Sequence, residues 1–182
     1  MLIRLAVDFG PCTIDEDLVG LQGLVTCLGR PRVIEVGSWL GRTALAMVEA
    51  GAEFVHCVDT WDGTNDPEDE TFAHGAKHGH AALLNAFRVN VAAHLGQTIY
   101  HYIGTSSYWA DRWTVPADLV FIDAEHSYEA ALADITLWTP HVRPGGILCG
   151  HDFCEAWPGV KRAVEETGPF NIVGNSVWWR QL

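Results

Sequence analysis

The chain has 182 residues, 48% hydrophobic and 19% charged, a balance that supports a packed core and excludes a disordered chain. Its formal net charge is −12, and its 11 Lys and Arg form no run, so a nucleic-acid partner is not expected: phosphate binding needs clustered cations. The five cysteines, Cys12, Cys27, Cys57, Cys149 and Cys154, are odd in number and scattered, giving neither a disulfide framework nor a C-x-x-C zinc signature. Cys57 and Cys149 sit in apolar runs and should pack as small hydrophobes.

No apolar run approaches about 18 residues, and the N-terminal stretch is too short for a signal peptide, so we expect a cytoplasmic chain with no membrane partner. Its length suits one domain spanning 1–182, with no repeat or linker dividing it. Apolar spacing predicts a helix over 14–28, with acids in its first turn where the helix dipole favours them. A buried strand at 32–36 ends at Gly37; a helix at 43–49 and a strand at 53–58 follow.

Residues 62–80 carry Gly, Pro, acids and three His, and read as a long lid-like loop in which His74, His78 and His80 lie beside Asp66, Glu68, Asp69 and Glu70. Leu84, Phe87, Val91 and Leu95 then mark a helix, 98–103 a strand, 106–113 a short helix and 118–122 a strand ending at Asp123. A helix from Tyr128 stops near Pro140; a strand at 146–150, a helix at 160–167 and a terminal hairpin around Gly174-Asn175 complete the pattern. This alternation predicts an α/β fold with a mostly parallel seven-stranded sheet, helices on both faces and an antiparallel hairpin at the C-terminus.

In such sheets ligands bind beyond the carboxyl ends of the strands. The segment V-I-E-V-G-S-W-L-G-R-T-A at 33–44 places Gly37, Ser38 and Gly41 in a strand-to-helix turn with Glu35 just before it. A carboxylate there repels a pyrophosphate but suits a cationic amino-acid group, and G-x-G-x-x-G is absent. Asp59 ends the second strand, about 20 residues after the first glycine turn, where a carboxylate accepts hydrogen bonds from ribose hydroxyls. Thr60 and Trp61 follow it, and Gly104, Thr105 and Ser106 follow the third strand, where they would border an adenine.

With V-D-T-W-D-G at 58–63, F-I-D-A-E-H-S-Y-E-A-A-L-A-D-I at 121–135, R-P-G-G-I-L-C-G-H-D-F at 143–153, G-V-K-R-A-V-E-E at 159–166 and the hairpin, the chain resembles the class I methyltransferases that use S-adenosylmethionine. Within them it is similar to a bacterial family that includes macrocin-type sugar O-methyltransferases and cephalosporin-hydroxylase-like proteins. The resemblance covers nearly all of the chain after about residue 30, and it implies that Glu35, Gly37, Asp59 and Ser106 belong to the cofactor site, with Asp123 between cofactor and acceptor. The acceptor implied is a small-molecule hydroxyl such as a sugar, phenol or natural product.

Asp123, His126, His151 and Asp152 follow the fourth and fifth strands and are the candidate catalytic residues, able to draw a proton from a hydroxyl. Metal-using relatives hold a divalent ion at these strand ends, which makes Asp123, His151 and Asp152 the candidate ligands. A histidine at 151, where those relatives tend to carry a carboxylate, weakens the case for magnesium and leaves a softer ion, or no metal, open. Two other classes remain at this point: a non-catalytic S-adenosylmethionine-binding module and a nicotinamide-dependent oxidoreductase. The acceptor, the choice of oxygen or nitrogen and the oligomeric state are not legible.

Overall fold

A computed structural model describes residues 3–8, 13–63 and 77–182. Its first strand, β1 (Arg32–Val36), is followed by β2 (Phe54–Asp59), β3 (Ile99–Ile103), β4 (Ala117–Ile122), β5 (Val142–Gly150), β6 (Asn171–Val173) and β7 (Val177–Gln181). The helices are α1 (Asp15–Cys27), α2 (Arg42–Glu49), α3 (His80–Asn90), α4 (Ser106–Ala110), α5 (Tyr128–Trp138) and α6 (Pro158–Glu166). One sheet in the order β3-β2-β1-β4-β5-β7-β6 joins all seven strands, and β7 runs antiparallel to β5 and β6. The expected architecture is therefore present, with the strand order reversing between β1 and β4.

Alternation along β1 explains the two layers. Val33 packs with Leu21, Val25, Met47, Leu83 and Phe87 of α1–α3, while Ile34 and Val36 pack with Ile135, Trp138, Val160 and Val164 of α5 and α6. Cys57 and Cys149 lie in the first of these cores, as expected of small apolar groups. The parallel register brings Val36 level with Val58 and Ile122, and Ile122 level with Gly150. Gly37, Thr60, Asp123 and His151 consequently emerge at one edge of the sheet.

Three elements differ from the sequence-based expectation. β5 begins at Val142, because the Arg143-Pro144-Gly145 stretch, which lacks an apolar pattern, is carried along the strand by a register shift against β4. α3 stops at Asn90, and residues 91–94 continue as turns before Leu95 bridges Ile99, while α4 stops at Ala110. α1 is tied to the terminal hairpin by Asp17, a nearly fully buried acid. Its Oδ1 accepts from the amides of Asn175 (2.5 Å) and Ser176 (3.0 Å), and its Oδ2 accepts from the Ser176 hydroxyl (2.9 Å). Gly174, at φ 66°, lies so close to Asp17 that a Cβ would overlap the carboxylate.

Among the described residues no helix is long and apolar enough to cross a membrane. The expected loop is bracketed by a contact between Asp62 Oδ1 and His80 Nδ1 at 3.2 Å, whereas His74, Asp66, Glu68, Asp69 and Glu70 lie outside the described residues, as does Cys12.

Candidate active site

The turn after β1 is built by backbone contacts. Gly37 has φ 86°, and a Cβ there would overlap the carbonyl oxygen of Asp123, so the glycine is required by the close approach of β1 and β4. Asp59 holds this turn from β2: Oδ2 accepts from the amides of Ser38 and Trp39, each at 2.8 Å, and Oδ1 from that of Trp61 at 2.6 Å. Trp39 and Trp61 both sit at positive φ, a conformation bulky residues rarely adopt, and the shared carboxylate holds them there. Burial raises the Asp59 pKa and the three amides oppose that rise. Three of a carboxylate's four or so acceptor positions are thus used by the protein, which narrows the ribose role expected for Asp59.

A cavity of about 930 Å³ opens at this edge of the sheet. Its wall includes Gly37, Ser38, Asp59, Thr60, Gly104, Thr105, Ser106, Asp123, His126, His151 and Asp152, so most residues singled out from the sequence converge on one space. Three do not reach it. Glu35 is fully buried beneath α2, where Thr43 donates its hydroxyl hydrogen to Oε1, and Oε2 makes no well-formed hydrogen bond among the described residues. Burial pushes its pKa to about 7, opposed by the nearby Ser38, Thr43 and Cys57. Gly41 instead allows the end of α3 to approach, since a Cβ would sit 2.7 Å from Cγ1 of Val91, just past that helix, and 3.1 Å from the Phe87 ring. Trp61 is a core residue whose ring is tilted against that of Phe87 at 4.9 Å, its indole N–H donating to the Trp39 carbonyl.

At the ends of β4 and β5 four titratable groups meet. His126 Nε2 lies 2.8 Å from Asp152 Oδ2, and the His126 ring packs 4.1 Å from that of Trp157. His151 Nδ1 is 3.1 Å from Asp152 Oδ1 and 3.6 Å from Asp123 Oδ1, while its Nε2 is 3.0 Å from Asp17 Oδ2. Burial by itself would lower the His151 pKa, but Asp123, Asp152 and Asp17 override it and raise it to about 10. His151 is therefore a fixed cation at neutral pH and not a free base.

Burial raises Asp123 to about 7, relieved by His151 and reinforced by Asp152. For Asp152, burial is outweighed by hydrogen bonds from His126 and His151, and its pKa falls well below the usual carboxylate range. Asp152 itself sits at φ 63°, a strained backbone of the kind found at functional sites. The candidate metal set also changes. One ligand atom each from Asp123, His126 and Asp152 lies within 4.8 Å of the others, so His126 replaces His151, whose two nitrogens both face carboxylates.

Sequence reasoning missed several wall residues. Trp39, Arg42, Ala130, Ala133, Asp134, Leu137 and Trp157 all line the cavity. Spacing reveals the α5 face in retrospect, because 130, 133, 134 and 137 are three and four apart, yet the same pattern reads equally as core packing.

A family model described as a methyltransferase domain matches residues 34–153. No protein of curated function shows a significant sequence match. Among solved structures, a candidate caffeoyl-CoA O-methyltransferase from Staphylococcus aureus superposes with a TM-score of 0.67 at 13% identity, covering 94% of this chain and 85% of that one. An O-methyltransferase from Bacillus cereus, solved in complex with S-adenosylhomocysteine, gives 0.65 at 16% identity over 92% and 80% of the two chains. The O-methyltransferase NovP gives 0.64 at 19% identity over 91% and 79%. At these identities the likeness establishes the fold.

Proposed function

Since the chain belongs to the methyltransferase-domain family and has the class I S-adenosylmethionine-dependent methyltransferase fold, we propose that it transfers a methyl group to a hydroxyl oxygen of a small-molecule acceptor. One observation carries this reading: the turn after β1 and the Asp123–His126–Asp152 cluster open on the same cavity. At about 930 Å³ that cavity is near the upper end of small-molecule sites, which supports room for cofactor and acceptor together. The O-methyltransferase names of the structural neighbours agree with oxygen as the atom methylated.

When bound, S-adenosylmethionine supplies an electrophilic methyl group on a sulfonium, so the protein's task is positioning and proton removal. Gly37, Ser38 and Thr60 form the cofactor wall at β1 and β2, and Thr105 and Ser106 form it at β3. Asp152 holds the His126 imidazole, which Trp157 backs from the other side. The hydroxyl proton passes to the Asp123–His126 pair, where a carboxyl held near pH 7 is matched to the task. His151 offsets the charge of Asp17, Asp123 and Asp152.

The donor set of two carboxylates and one imidazole also fits a divalent cation, which Asp123, His126 and Asp152 would hold and which would acidify a hydroxyl. The test is methyl transfer from labelled S-adenosylmethionine to a panel of phenols and glycosides. His126→Ala and Asp123→Asn should each lower turnover by about 10²–10⁴-fold with S-adenosylhomocysteine binding retained. Near-normal turnover in both variants would move the chemistry elsewhere. Loss of activity with a chelator, restored by an added divalent ion, would assign the proton step to the metal.

A further inference from the structure

The α5 side of the cavity carries a charged group that the chemistry above does not use. Helix α5 turns Ala130, Ala133, Asp134 and Leu137 toward the cavity, three apolar side chains around one acid. Asp134 is 7% exposed. Its Oδ1 accepts the hydroxyl hydrogen of Ser106 at 2.5 Å, and Ser106 Oγ in turn accepts from the Trp138 indole N–H at 2.8 Å. Oδ2 accepts no hydrogen bond among the described residues and is not one of the fully buried atoms left without a partner, so it stays open on the cavity that Asp134 lines. A carboxyl oxygen open on a cavity wall is a ready acceptor for a ligand's donor, and burial has pushed the pKa of this group to about 6.

Position narrows what that partner is. Asp134 meets Ser106, which follows β3, while Asp123 and Asp152 follow β4 and β5 across the sheet order β3-β2-β1-β4-β5. A cofactor with its methyl group beside Asp123 must extend its other end toward β3. Residues 104–107, Gly-Thr-Ser-Ser, bear no charge, so the charged acceptor on this side comes from α5. Apolar side chains around a single carboxyl acceptor match a planar heterocycle that carries an edge amine.

We infer that Asp134 accepts a hydrogen bond from the 6-amino group of the cofactor's adenine and so sets the base specificity of the site. The inference rests on the S-adenosylmethionine reading. Its test compares calorimetric binding of S-adenosylhomocysteine with that of S-inosylhomocysteine, in which a 6-oxo group replaces the amine. The unmodified protein should prefer the adenine ligand by about tenfold or more, the worth of a charge-assisted hydrogen bond. Asp134→Ala should bring the two affinities together.

Asp134→Asn makes a sharper demand. Ser106 has a single hydroxyl hydrogen, directed at residue 134, so the amide oxygen must face Ser106 and the amide NH2 must face the cavity. This isosteric variant should invert the preference in favour of the 6-oxo ligand, and it serves equally well if the alanine variant does not fold. No preference in the unmodified protein would overturn the inference. An equal loss of both ligands in the variants would do so too, since that is the mark of a purely structural Asp134–Ser106–Trp138 link. Absence of any S-adenosylhomocysteine binding by the unmodified protein would instead remove the cofactor reading, and this inference with it.

Discussion

Glu35 shows what a motif position costs when its side chain turns inward. On β1 it shares a face with Val33, so it points under α2 instead of beyond the strand end. Its pKa, ordinarily 4.5, stands at about 7 because burial disfavours the charged form. The folded state therefore binds this proton more tightly than the unfolded chain does. The resulting stability is fully present below about pH 4.5, fades as pH rises, and is gone above about pH 7. The gap corresponds to about 3 kcal/mol for this fully buried group. Glu35→Gln keeps an acceptor for Thr43 and removes the titration. In urea unfolding it should match the unmodified protein near pH 4 and exceed it increasingly up to pH 7, by at most about 3 kcal/mol. A difference that stays constant from pH 4 to 8 would contradict this account.

Among the elements, Asp17 joins α1, the hairpin and the end of β5 through a single carboxylate. Asp17→Ala would leave two amides, a hydroxyl and the His151 ring without their acceptor. Removing one partner of such a buried ionic network typically costs about 3–5 kcal/mol. We expect a loss of that order in denaturant unfolding, with a smaller one for Asp17→Asn; a change within about 0.5 kcal/mol for the alanine variant would show that the network is not holding the hairpin. Nothing local announces this tie, because Asp17 and Ser176 are 159 residues apart and an acid in the first turn of a helix is explained by the helix dipole alone. The strands were legible for the opposite reason. β1, β2, β3 and β4 are short apolar runs closed by Gly or Asp, and their observed bounds fall within one residue of those expected. The carboxyl-end residues were legible through topology, since a parallel sheet sends every strand end to one edge. Asp134 and Trp157 were not, because a helix face toward a cavity has the same periodicity as one toward a core.

At the scale of the whole molecule, charge constrains the acceptor. All 11 Lys and Arg fall within the described residues, and of them Arg42 alone lines the cavity. Its guanidinium is already bound to the carbonyl oxygens of Ile3 and Thr13 and to Asp15. Five acids share the wall: Asp59, Asp123, Glu125, Asp134 and Asp152. Recognition of a phosphate rests on Arg or Lys with free donors, and a cleft lined by carboxylates repels an approaching anion. A hydroxyl compound should therefore react faster free or as a simple glycoside than as a coenzyme A thioester or a nucleotide sugar. For matched pairs we expect kcat/KM to favour the phosphate-free member by about tenfold or more at low ionic strength, with the gap narrowing as salt screens the cavity. Steady-state kinetics at two salt concentrations read both effects. A phosphate-bearing member that is the better substrate at low salt would show that donors other than this chain's cations, such as helix amides or a bound metal, recognise it.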